Sequence, residues 1–178
     1  VDSPLQDRWA LSIIQTLIEE APKVLENPND YNVRANLFWC ATTGLNFMID
    51  PGVVQDWATH ALGHELTALY GLDHGQSLAV ILPRLWKALF NEKKQKLAKM
   101  ARIVWNVTGT DDEAAEKCIA LSEDFFRSIG MKTKLSEYNV NALEAAEMLK
   151  QRFAERGVNP GETGKLTPET IYKIVSES

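Results

Sequence analysis

Cysteine is scarce in this chain: Cys40 and Cys118 are the only two among 178 residues, and they form no CxxC pair. That excludes a disulfide framework and a thiolate metal cluster, and it leaves two buried free thiols in a reducing compartment as the expectation. No apolar run approaches the roughly 18 residues that a membrane span needs, and no signal-peptide pattern is read ahead of the first helix. A soluble, cytoplasmic protein is therefore expected. Basic charge is short as well, with 19 Lys and Arg against 24 Asp and Glu and a net charge of −5. This balance argues against nucleic-acid or membrane partners. Neither a GxGxxG nor a P-loop pattern is present, no repeat is seen, and no run of alternating apolar and polar residues announces a strand.

What remains is a helical chain of ordinary globular composition, 45% hydrophobic and 24% charged, long enough for one domain over residues 1–178. Ser3-Pro4 reads as an N-cap followed by proline in the first turn, with Trp9, Ile13, Ile14, Leu17 and Ile18 continuing at helical spacing to about Leu25. The Asn27–Asp30 turn leads into a second helix, Tyr31 to Met48, with Val33, Leu37, Phe38, Ala41 and Leu45 as its apolar stripe. A third is predicted from Val53 to Leu69. Pro83 either kinks the fourth or starts a new helix. Lys93, Lys94, Lys96 and Lys99 read as a solvated face opposite Phe90, Leu97, Ala101 and Val104, in a pattern that stays helical to Val107. Thr110 with Glu113 forms a capping box for a helix to Ile129 that Gly130 ends; Asn141 to Arg156, closed by Gly157, and Thr167-Pro168 open the last two. The fold class expected is all-α, a helical bundle-like domain.

Histidine is rare too, and all three residues fall in WATHALGHELTALYGLDHGQ: His60, His64 four residues later, and His74 ten after that. On a helix, residues four apart differ by about 40° in direction and about 6 Å in height, so the first two rings leave one face. Asp73 with Gln76 forms a capping-box pattern that puts His74 in the first turn of the next helix, where the dipole keeps the ring neutral and able to bind a metal. Gly75 leaves room for a cofactor or a backbone to come close. A zinc-protease assignment fails, because HExxH needs a histidine where Ala68 stands. Asp56, one turn before His60, is the available carboxylate. A buried, hydrogen-bonded role for the histidines remains open at this point, as does core packing for Trp57 and Tyr70.

The run DWATHALGHELTALYGLDHGQSLAVILP, from Asp56 to Pro83, resembles the histidine signature of the iron-containing (group III) alcohol dehydrogenases. Within that family the likeness is to the NADPH-dependent aldehyde reductase and butanol dehydrogenase branch, and YNVRANLFWCATTGLN and GMKTKLSEYNV extend it over nearly the whole chain. The resemblance implies an N-terminal dinucleotide-binding domain, absent from this chain, and a dehydroquinate synthase-like helical C-terminal domain, which this chain represents. It implies Fe2+ or Zn2+ held by His60 and His74 together with an upstream Asp and His, and His64 beside the nicotinamide of NADP(H) or NAD(H), with Gly75 near the cofactor. No DxxxH pair precedes the signature here, so the isolated chain is expected to be inactive and to bind metal weakly or not at all. The implied reaction is hydride transfer between nicotinamide and an aldehyde or primary alcohol, in a homodimeric parent. The rival expectations are a non-enzymatic helical metal-binding or scaffold domain, and an enzyme of the glycerol dehydrogenase type.

Overall fold

The computed structural model describes residues 3–178, so Val1 and Asp2, where the chain opens, lie outside the described residues. Among those described, the regular elements are all helical, as the sequence predicts. They are α1 (Pro4–Glu26), α2 (Tyr31–Leu45), α3 (Ala58–Tyr70), α4 (His74–Ala88), α5 (Phe90–Trp105), α6 (Asp111–Ser128), α7 (Ala142–Arg156) and α8 (Pro168–Ser176), with a 3-10 turn at Leu135–Tyr138 that the periodicity does not reveal.

The starts of α6, α7 and α8 follow from side chains that satisfy orphan backbone groups. Thr110 N donates to Glu113 Oε2 at 2.9 Å while Glu113 N donates to Thr110 Oγ1 at 3.3 Å, the predicted capping box. Asn141 Oδ1 accepts from the backbone N–H of Leu143 (3.0 Å) and Glu144 (3.3 Å), and Thr167 Oγ1 accepts from Thr170 N (3.3 Å). Pro83 lies within α4 and does not end the helix.

The chain forms two compact units. The first comprises Val1–Val54, as far as described, and Lys96–Cys118. In it α1 packs on α2, and Asp7 on α1 receives Lys96 (2.6 Å) and Lys99 (2.8 Å) from α5. The stripe expected on α2 is corrected here. Val33 and Cys40 are buried and Leu37 is half-buried, but Phe38 and Leu45 are 66% and 64% exposed. The physical reason is that α2 has one principal neighbour, α1, which covers one narrow face. The helix also stops at Leu45, three residues before the predicted end.

The second unit, Gln55–Gln95 with Ile119–Ser178, holds the main core. Leu62 and Leu66 of α3, Val80, Ile81 and Leu85 of α4, Leu149 of α7 and Ile171, Ile174 and Val175 of α8 are all almost fully removed from water. Burying a side chain of this size contributes about 1.5–3 kcal/mol, and that is what fixes α3 and α4 side by side. A second correction concerns α3, which begins at Ala58 and not at Val53. Asp56 Oδ1 accepts from Ala58 N at 2.9 Å, a local bond that competes with helix, and Val54 is left 61% exposed. The basic run is the third: Lys93 is no solvated charge but sits between Asp56 and Glu162, 2.5 Å from each. Its partners are 37 and 69 residues away in sequence, beyond the reach of a helical-face argument. Cys40 and Cys118 are both free and buried, as expected.

Candidate metal centre

Helices α3 and α4 make a helical hairpin joined by Gly71, Leu72 and Asp73. Gly71 ends α3 in the left-handed region (φ 73°), where a residue with a Cβ is strained, and its N–H bonds to Thr67 O at 3.0 Å. Leu72 is buried, which draws the connection onto the core. Gln76 Oε1 then accepts from Asp73 N at 2.9 Å, so α4 starts with His74 in its first turn, as the capping pattern predicts. Local chemistry thus returns the chain beside α3 with His74 facing the two histidines of that helix.

The three rings meet. Their centroids are 5.1 Å apart for His60 and His74, 5.3 Å for His64 and His74, and 6.0 Å for His60 and His64. One donor nitrogen from each can be chosen such that all lie within 4.8 Å of one another. The pair adjacent on the same helical face is therefore the widest of the three, and the pair that spans the hairpin is the tightest. Among the described residues none of the three imidazoles is held by a hydrogen bond or ion pair, so the satisfied-core role left open by the sequence does not describe them.

Electrostatics favour a neutral ring at His60. The pKa of His60 lies below its ordinary value, chiefly because burial disfavours the imidazolium and then because His74 and His64 stand close. His60 is half-buried, while His64 and His74 are exposed. A cluster of uncommitted nitrogen donors with an open side suits a borderline divalent cation such as Zn2+ or Fe2+, which prefers imidazole and needs a free position for chemistry. The donor set fits a metal, and three nitrogens leave room for further ligands or solvent.

The surroundings sort the remaining sequence candidates. Asp56 is turned away to Lys93 and the start of α3, so it does not complete the ligand set. Trp57 is 44% exposed with its ring 5.1 Å from that of His60, which makes it a wall of the site and not a core residue. Tyr70 packs against the core cluster. At Gly75 an added Cβ would meet nothing nearer than Met131 Cε at 3.9 Å, so the backbone beside His74 is open to approach.

Two features escaped the sequence. Glu65 is 8% exposed and bridges to Arg152 and Arg156 of α7, 2.5 Å from each, which ties the histidine helix to its neighbour. Gly63 is buried against Ser77 of α4. A glycine in the middle of an otherwise apolar helix was the available signal for the second; nothing local marks the first.

Against known proteins, residues 2–178 match the family model described as Fe-containing alcohol dehydrogenase family, C-terminal. The chain is 46% identical over 176 residues to the NADPH-dependent aldehyde reductase YqhD of Escherichia coli K12, an alignment covering 98% of this chain and 45% of that one. It is 37% identical over 153 residues to NADP-dependent alcohol dehydrogenase 3 of Entamoeba histolytica, covering 85% and 38% respectively. A solved structure of the E. coli aldehyde reductase YqhD, free of substrate and cofactor, superposes with a TM-score of 0.94 at 44% identity over 99% of this chain and 47% of that one. The chain thus spans less than half the length of these relatives.

Proposed function

The chain belongs to the Fe-containing alcohol dehydrogenase family, matching its C-terminal region, and from that premise we propose that it is the metal-binding half of an NAD(P)H-dependent aldehyde reductase or alcohol dehydrogenase. The observation that carries this reading is the meeting of three uncommitted imidazoles across the α3–α4 hairpin. In it His60 and His74, the closest pair, are the metal ligands, and further donors come from outside this chain. The nucleotide-binding domain lies outside it too, and small aldehydes or primary alcohols are the substrates. Two buried free thiols favour a reducing cytoplasm.

A divalent metal and a nicotinamide, once bound, supply a Lewis acid for the carbonyl oxygen and a hydride for the carbonyl carbon, the former worth several kcal/mol. The chain's own residues do the rest. His64 is the exposed ring on the same helix and is left with a free nitrogen, from which it would hold a proton for the developing alkoxide oxygen. Trp57 covers His60 and limits water there. Gly75, with no side chain, lets the cofactor lie against the start of α4.

Calorimetric titration with Zn2+ tests the site. The half-site reading expects binding weaker than about micromolar, lost in His60→Ala and in His74→Ala. Sub-micromolar affinity of the chain alone, or uptake indifferent to both substitutions, overturns it in favour of a self-contained metal module or of binding elsewhere. For the proton role, His64→Ala placed in the longer polypeptide should alter the pH–rate profile of aldehyde reduction, and an unchanged profile removes His64 from the mechanism.

A further inference from the structure

We propose that Gly63 and Ser77 are positioning residues, the gauge that sets the spacing of the two histidine-bearing helices and hence the separation of His60 from His74. Its consequence for metal rests on the site proposed above; its geometry does not.

At Gly63 the two helices touch. A Cβ built there would stand 2.9 Å from Ser77 Oγ and 3.1 Å from Leu78 Cδ2, the first closer than side chains pack. Ser77 is fully buried and its hydroxyl is engaged, donating to His74 O at 2.8 Å. The atom that a larger residue at 63 would strike is therefore the atom that braces the turn carrying His74. On the other side of the contact, at about 100° per residue, His60 and His64 project about 60° and 100° around the helix from Gly63. Helices meeting through a glycine approach more closely than through any other residue. The contact thus lies beside His60 and His64, within one turn of each on one helix, and one turn past His74 on the other, where a change in spacing is passed directly to the rings. It also accounts for a glycine in the interior of a helix, where alanine has an advantage of roughly 0.5–1 kcal/mol. Leu62 and Leu66 fill the core next to it, so packing alone gives no need for a residue that buries nothing.

The test is a double-substitution cycle. Gly63→Ala should widen the 5.1 Å separation of the His60 and His74 ring centroids by roughly half an ångström in a crystal structure of the full chain, the added methyl forcing a backbone shift. It should also weaken Zn2+ binding about tenfold, the scale typical for residues that orient ligands. Ser77→Ala removes the struck oxygen together with its bond to His74 O, so its own affinity serves as the reference for the pair. Combined with Gly63→Ala it should restore the separation and bring the affinity back to within about threefold of that of Ser77→Ala alone, since contacting residues do not act additively. An unchanged separation in Gly63→Ala, with Ser77 simply turned aside, overturns the gauge. So does a double variant as impaired as Gly63→Ala, which would mark the loss as general overpacking. If the unaltered chain takes up no Zn2+ at millimolar concentration, the half-site needs its outside donors to bind at all, and the ring separations alone decide the gauge.

Discussion

Removing the Glu65 carboxylate should destabilise the chain by about 2 kcal/mol, and the size of that effect follows from how the ion pair is exposed. Glu65 itself is nearly buried, yet the side chains of Arg152 and Arg156 keep 36% and 45% of their accessibility. Breaking a fully buried pair leaves an unpaired charge and costs about 3–5 kcal/mol, whereas exposed pairs are worth up to about 1. Here the arginines recover water when Glu65→Ala removes their partner, so the loss is confined to two charge-assisted bonds and the packing of the glutamate stem, between those limits. For a chain of this length, 2 kcal/mol lowers Tm by about 4–8 °C. Urea denaturation followed by circular dichroism measures it. The effect should also depend on pH. Burial pushes the Glu65 carboxyl up, but Arg156 and Arg152 more than offset this and hold its pKa below the ordinary 4.5. The unfolded chain therefore takes up this proton at a higher pH than the folded one. The stabilisation is complete above about pH 4.5 and is lost as pH falls through the folded value, so the gap between wild type and Glu65→Ala should close only in acid. A gap under about 0.5 kcal/mol at pH 7, or one constant down to pH 3, refutes the argument that α7 anchors the histidine helix through this residue.

Other substitutions probe the rest of the frame. Lys93→Met leaves Asp56 and Glu162 facing each other without their shared cation and should cost about 1–3 kcal/mol by chemical denaturation, a loss that Glu162→Gln in the same chain should partly relieve. Asn141→Ala removes the acceptor for two N–H groups at the start of α7 and should lower stability by about 1 kcal/mol, with Asn141→Asp close to wild type. Phe38→Ser and Trp39→Ser change side chains that are 66% and 71% exposed, so each should shift stability of this chain by less than about 0.5 kcal/mol. A large loss from Phe38→Ser would restore the buried stripe that the sequence suggests for α2.

How much was legible in advance depended on the range of the interaction. Capping boxes such as Thr110 with Glu113, and glycines after helix ends such as Gly157, are written within four residues, and they appear where the sequence puts them. The three-histidine cluster was legible for the same reason: a four-residue step on one helix and a capped start to the next bring the rings near one another once the hairpin closes. Tertiary structure alone decided which helical faces found a neighbour, because a stripe of Phe38 and Leu45 is buried only if something covers it. It alone decided that Asp56 turns to Lys93 and not to His60, since the lysine that captures it lies 37 residues away. The Glu65 clamp and the contact of Gly63 with Ser77 also belong to the assembled fold, because charge pairing and close packing act through space on residues that the chain order keeps apart.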